Sequence, residues 1–385
     1  MSAHAFLSAS GSSRWLNCPP SATLEKQFPD KGSEFAAEGS LAHELAEVRL
    51  RYINLELLPA EFEKHRQKIS ANPMYSKSMD DYISNYLDIV WEQYSKAKAQ
   101  NNGNARLLVE QKLIYNPWVP EGFGTGDVII IAGNTIEVID LKYGKGVPVS
   151  AENNSQMRLY GLGAYNNFGL LYDFNKVTMT IIQPRLDSIS SETLSLDELL
   201  SWGEAVKVTA QLADKGEGEY SAGEHCRFCR AAAICSHLAA YNLELAKYDF
   251  AKAELLSDEE IADVLMRADT FSKWIASLQK FALDAAVNNG KKFPGMKLVE
   301  GRSNRKIIDP GVLADHLITE GYTTDQIYKP TELKSLTDLE TLTGKKTFAE
   351  VSKGLIEKPP GKPALVSETD KRPEWTPEQD LIALF

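Results

Sequence analysis

Three short apolar runs, 107–115 (LLVEQKLIY), 127–132 (DVIIIA) and 135–143 (TIEVIDLKY), follow closely on one another. They are rich in Val and Ile and too short for helices, which is how buried strands read. Only Gly133-Asn134 separates the second from the third, a turn that fits an antiparallel hairpin. A sheet is therefore fixed near the middle of the chain, and the flanking segments must supply what covers it.

Those flanks have the helical period. Apolar residues recur at three- and four-residue intervals in LAHELAEVRLRYI and MDDYISNYLDIVWEQYSKAKA, so the chain from 21 to about 100 is mainly helical, with a loop at 101–104. After the Gly144-Lys145-Gly146 loop, SQMRLYGLGAYNNFG reads as a helix, KVTMTIIQPR as a strand and 196–214 as another helix. The order helix, three strands, helix, strand implies an α/β fold, a mixed central sheet flanked by helices. The cysteine-rich HCRFCRAAAICSHL continues into a helix through Lys252, and a further helix spans 258–288 behind an N-cap at Ser257 with Glu260 three residues on. Past Gly290 the composition shifts towards Lys, Thr and Pro. With 385 residues, the expected division is a core over 1–290, a small C-terminal α+β region over 291–355, and an extended tail over 356–385 marked by Pro359, Pro360, Pro363, Pro373 and Pro377.

Composition removes some classes of function. Hydrophobic residues at 43% and charged residues at 25% describe an ordinary globular protein. No apolar run reaches the roughly 18 residues of a membrane span, and MSAHAFLSASGSSRW lacks a secretory pattern, so the expected location is cytoplasmic. A formal net charge of −11 argues against coating nucleic acid by bulk electrostatics. It leaves open an enzyme whose clustered carboxylates hold a cation.

Asp127, Asp140 and Lys142 offer that chemistry. Alternation puts Asp140 and Lys142 on one face of a strand and Leu141 on the other. Carboxylates on neighbouring strands suit Mg²⁺ or Mn²⁺, and an ammonium beside them can orient water or steady charge on a phosphoryl group. His43, on the first helix, would add a nitrogen ligand and favour Mn²⁺. An Asp-X-Lys triplet alone is common, and solvated strand ends account for most examples. Here Asp127 follows the Gly-rich GFGTG and Asp140 follows the apolar EVI, poor places for unpaired charge. Glu110 adds either an outer carboxylate, a partner for Lys142, or a plain surface ion pair.

In order, these segments (His43, GTGDVIII, VIDLKYGKG and QMRLY) resemble the RecB-like branch of the PD-(D/E)XK nuclease superfamily. That resemblance implies a restriction-endonuclease-like sheet, with His43, Asp127, Asp140 and the main-chain carbonyl of Leu141 ligating the metal. It gives Lys142 the catalytic lysine role and makes Gln156 and Tyr160, one helical turn apart, shape the site and contact DNA. More widely, SGSSRWLNCPPSA, EGSLAHELAE and PALVSETDKRPEW resemble a phage and prophage family of RecB-like proteins. The implied activity is a DNA exonuclease in phage replication or recombination. Its alternative is a non-catalytic DNA-binding module of the same fold.

Cys226, Cys229 and Cys235 form C-x2-C-x5-C, and Cys18 lies far upstream. Four thiols with none left over can surround one centre, and spacing alone does not separate Zn²⁺ from a [4Fe–4S] cluster. One cysteine before the nuclease core and three after it resembles the AddB-type helicase-nucleases and the CRISPR-associated exonucleases, which implies [4Fe–4S]. The implied partners are DNA, single-stranded or with a free end, and a single-strand-binding or annealing protein. Arg14, Trp15, Arg227, Phe228 and Arg230 near the thiols are expected DNA contacts, or else plain surface and core residues. Residues 379–385 (QDLIALF) loosely resemble a sliding-clamp-binding peptide.

Overall fold

The hairpin forms where the turn places it. β2 (Phe123–Ala132) and β3 (Thr135–Leu141) pair antiparallel with Ala132 opposite Thr135, and Gly133 takes the positive φ of 57° that the tight turn requires. The structure, a computed structural model, describes residues 5–29, 32, 34–146, 148–244, 257–297, 310–319, 323–324 and 336–356. β1 (Ala105–Ile114) runs antiparallel along the other side of β2, while β4 (Lys176–Gln183) is parallel to β3 and β5 (Ser188–Ser195) antiparallel to β4. The sheet order is β1-β2-β3-β4-β5, a mixed sheet in an α/β fold.

Helices cover both faces. On one lie α1 (Ser12–Asn17), α2 (Ser21–Glu25), the crossover helix α6 (Ser155–Phe168) and α7 (Leu196–Lys215); on the other lie α3 (Glu34–Ile53), α4 (Pro59–Ser70) and α5 (Lys77–Gln100). Two apolar cores result, one on each side of the sheet. Strand alternation divides β2 between them, with Ile129 and Ile131 in the α6 core and Val128 and Ile130 in the α3/α5 core.

That alternation inverts at one place. On β1, Leu107 and Val109 belong to the α3/α5 core, yet Leu113 belongs to the α6 core. On β2, Gly126 stands against Leu113 and Val138 of the α6 core, whereas Val128 faces the other way. The phase change falls at Glu110 and Asp127, between the paired Val109/Val128 and Gln111/Gly126. Glu110 has φ of 50°, a left-handed conformation that a side chain adopts only where its surroundings compel it.

Glycines let α6 approach the sheet. A Cβ on Gly124 would stand 2.7 Å from the Tyr160 ring, and one on Gly163 would stand 2.8 Å from Leu113 Cβ and 3.2 Å from its carbonyl carbon. Since the β1 backbone cannot yield as a side chain tip can, Gly163→Ala is expected to cost about 1–3 kcal/mol. A fall in the urea midpoint with an unchanged slope checks this.

β5 has no counterpart in the sequence reading. SISSETLS carries only two apolar residues, enough for an edge strand packed on one side but not for a pattern that stands out. α8 (Ser236–Leu243) follows the cysteines, and its expected continuation to Lys252 lies outside the described residues. α9 (Asp258–Asn289) begins at the Ser257/Glu260 capping box as expected. Within 291–355 the described elements are helices: α10 (Pro310–Thr319), α11 (Leu336–Thr343) and α12 (Lys345–Val351). The last two meet α5, where the Lys346 N–H donates to Asp81 Oδ2 at 3.3 Å. The proline-marked tail from 357 on, with its expected clamp peptide, lies outside the described residues. Among the described residues no helix is long and apolar enough to cross a membrane.

Candidate metal centre

At the phase inversion, three side chains from three elements meet. His43 of α3, Glu110 of β1 and Asp127 of β2 have ligand atoms all within 4.8 Å of one another, and they are the only such trio of His, Cys, Asp or Glu among the described residues. A regular β1 would alternate straight through Glu110. Its left-handed φ instead brings the carboxylate to the same point as Asp127. His43 Nδ1 lies 3.2 Å from Asp127 Oδ1, and the Leu141 N–H donates to Asp127 Oδ2 at 2.7 Å. Leu141 thus contributes a main-chain group to the centre, although through its N–H to Asp127.

A second network adjoins the first. Asp140 is buried at the end of β3; its Oδ1 accepts from Gln156 Nε2 at 3.3 Å, and Lys142 Nζ lies 2.9 Å from its Oδ2. This last contact is close enough for an ion pair but off the hydrogen-bond direction, so Oδ2 has no hydrogen-bond donor. Lys142 donates instead to Gln156 Oε1 at 3.1 Å, and Gln156 Nε2 is 3.4 Å from Tyr160 OH. The expected set is thereby reordered. Glu110 joins His43 and Asp127 directly, while Asp140 is engaged with Lys142 and Gln156.

Electrostatics follow from this crowding. Burial works against a charged His43, yet the Asp127 carboxylate, by charge and hydrogen bond, with Asp140 behind it, raises its pKa to about 9. Burial, then Asp127, then Glu47 push Glu110 up to about 8. Burial would raise Asp127 too, but His43, the Leu141 N–H and Lys142 together hold it below the usual carboxylate range. For Asp140 burial dominates and Lys142 only partly offsets it, leaving its pKa raised. Burial would lower Lys142, but Asp140 and Asp127 hold it above the ordinary lysine value. Lys142 is therefore held as an ammonium by its acidic neighbours. Three acidic groups packed around one imidazole are the donor set a hard divalent cation takes. The residues present fit such an ion. The wider mouth above them, about 440 Å³, is lined by Ala36, Gly39, Ser40, His43, Glu44, Glu47 and Glu110.

The four cysteines converge as well. Cys18, Cys226, Cys229 and Cys235 are free thiols that line one small cavity together with Arg14, Tyr220, Ser221 and His225. Burial raises the thiols of Cys18 and Cys226 and pushes that of Cys229 up to about 12. No three of their sulfurs lie within 4.8 Å of one another. Tetrahedral zinc, with bonds of about 2.3 Å, would hold them about 3.8 Å apart.

Of the residues expected to meet DNA around the thiols, three are structural. Trp15 is buried with its indole N–H donating to Ser8 O at 3.0 Å. Arg14 Nε donates to Glu25 Oε2 at 3.1 Å, and the Arg230 N–H donates to Glu25 Oε1 at 2.8 Å, while its guanidinium donates to Phe28 O. Those contacts favour the plain structural alternative for Arg14, Trp15 and Arg230. Arg227 lies over the Phe228 ring at 5.3 Å, and Phe228 is 70% exposed, so that pair keeps a surface able to stack on a base. Glu25, which organises the region, was missed because an acidic residue in SATLEKQF carries no local sign of burial.

A family model described as "Protein of unknown function (DUF2800)" matches residues 4–373. Among solved structures, one described as "Crystal structure of SSO0001" is similar at 18% identity over 51% of this chain and 85% of that chain, with a TM-score of 0.22. A likeness at that score carries no argument about fold or activity.

Proposed function

The chain belongs to the DUF2800 family, whose description assigns no activity, so a function must be argued from its own geometry, and on that ground we propose a metal-dependent deoxyribonuclease acting at DNA ends. The observation that carries this reading is the meeting of His43, Glu110 and Asp127 beside the Lys142–Asp140 pair. When bound, a divalent cation supplies Lewis-acid activation of water and neutralises charge on the scissile phosphate. His43, Glu110 and Asp127 hold it, and the Leu141 N–H keeps Asp127 aimed. Lys142 offers a proton-bearing cationic donor to a phosphoryl oxygen, where charge grows as the new bond forms. Asp140 and Gln156 grip Lys142 from two sides, and Tyr160 limits the freedom of Gln156. This division of labour supports the restriction-endonuclease-like reading of the sheet.

The four cysteines are proposed to hold a [4Fe–4S] cluster that ties Cys18 to the segment carrying Cys226, Cys229 and Cys235. Their lining of one cavity supports a common centre, and the likeness of their order to the AddB-type helicase-nucleases and CRISPR-associated exonucleases favours iron-sulfur over zinc. A protein purified without oxygen is expected to be brown, with visible thiolate-to-iron absorbance and about four irons per chain; a colourless protein with one zinc per chain overturns the assignment. Arg227 and Phe228, exposed at its edge, suit a single strand of DNA as partner.

End-labelled linear DNA and closed circular DNA, each incubated with Mn²⁺, test the activity. Linear DNA is expected to be degraded and circular DNA spared, and Asp140→Ala should lose at least about a hundredfold in rate, because Lys142 then loses the group that positions it. Cleavage of neither substrate by the wild type, with DNA still bound, would leave the non-catalytic binding module.

A further inference from the structure

Tyr86 of α5 is wholly buried, and its hydroxyl has no hydrogen-bond partner. Buried polar groups are rarely left so, because the lost hydration is not replaced. Phenylalanine would fill the same space without that penalty. The place of the hydroxyl is informative. Tyr86 walls a small enclosed space under the candidate centre, shared with His43, Glu47, Glu110, Asp127 and Leu141. Burial, followed by the charges of Asp127, Asp140 and Glu110, keeps the phenol protonated well above its ordinary range, so it can serve there only as a donor.

The acceptors around it differ. Asp127 already accepts from His43 on one oxygen and from Leu141 on the other, while Asp140 does not line this space and has the Lys142 ammonium 2.9 Å from its Oδ2. Among the described residues Glu110 accepts no side-chain or main-chain hydrogen bond at its carboxylate, although it is half-buried. An unpaired donor and an unpaired carboxylate thus line the same enclosed space. We propose that Tyr86 is a positioning residue for the metal centre, its O–H donating to the Glu110 carboxylate and aiming that ligand when a divalent cation is bound. The inference rests on the metal-centre reading given above. It explains why a hydroxyl is kept where the cation-free fold gains nothing from it, as outer-shell donors to metal ligands generally are.

The test is Mn²⁺ binding by titration calorimetry, with melting curves in the presence and absence of Mn²⁺, for wild type, Tyr86→Phe, Glu110→Ala and the double variant. Without cation, Tyr86→Phe should melt at or above the wild-type temperature. Its Mn²⁺ dissociation constant should rise about tenfold or more. In the Glu110→Ala background, where no side-chain acceptor is left for the phenol, the same substitution should have little further effect. Saturable Mn²⁺ binding in the wild type with an unchanged constant in Tyr86→Phe overturns the role of Tyr86 alone. A loss of cation-free stability in Tyr86→Phe with equal Mn²⁺ affinity would make it an ordinary core residue. Absence of saturable binding in the wild type overturns the metal centre and this inference with it.

Discussion

Asp127→Asn should lower cation-dependent DNA hydrolysis by about a thousandfold or more, the largest effect expected of any single substitution in the centre. Both carboxylate oxygens of Asp127 are committed, one to His43 and one to the Leu141 N–H. An asparagine supplies one acceptor and turns an NH2 group towards the remaining donor. It therefore loses the ligand charge, and His43 keeps this partner only as the neutral tautomer that accepts at Nδ1. Stability should fall by about 1–3 kcal/mol, as a charge-assisted hydrogen bond gives way to a neutral one, which leaves the protein folded at room temperature. Rates on end-labelled linear DNA at saturating Mn²⁺, with gel-shift affinity and circular dichroism as controls, read the two consequences separately. DNA affinity within a few-fold of wild type is expected, since the contacts proposed for DNA lie on other residues. A rate loss under tenfold would remove Asp127 from the reacting centre.

How far this site was legible follows from which of its parts obey a period. The resemblance to RecB-like nucleases singles out His43, Asp140, Lys142, Gln156 and Tyr160, and periodicity adds only that Asp140 and Lys142 share a strand face and that Gln156 and Tyr160 sit a turn apart. Glu110 could not be given its full part. In LLVEQKLI the apolar residues Leu107, Val109 and Leu113 keep one parity, and straight alternation would send all three to one core. They in fact divide between two cores, because the chain twists through a left-handed residue at Glu110, and that twist is imposed by pairing with β2. Tertiary context overrode a local pattern, as it did for serine-rich β5. For Asp140, spacing shows that it shares a face with Lys142 but not that the two would engage each other. Around the thiols the arginines looked alike in sequence. Burial of Glu25 separates those that hold the fold from the one left facing solvent.

Glu25→Ala is accordingly expected to be the most destabilising substitution of a charged residue outside the metal centre, by about 3 kcal/mol. Its carboxylate accepts from Arg14, four residues before Cys18, and from the main-chain N–H of Arg230, next to Cys229. Removing it leaves a largely buried guanidinium and a part-buried N–H without their acceptor, while joining nothing in their place. Both segments that carry cysteines are then released from each other. If the cysteines hold a cluster, Glu25→Ala should also contain less iron per chain and bleach faster in air, even though Glu25 is not a ligand. Cys229→Ser provides the contrast: it should lose the cluster outright, yet with metal removed from both proteins it should unfold at nearly the wild-type urea concentration. The carboxylate acts with or without a metal and the thiolate only with one, so the two variants separate the polar tie from the metal tie. Matching urea midpoints for metal-free Glu25→Ala and wild type would show that Arg14 and Arg230 find water as easily as they find Glu25, and the tie would then rest on the thiols alone.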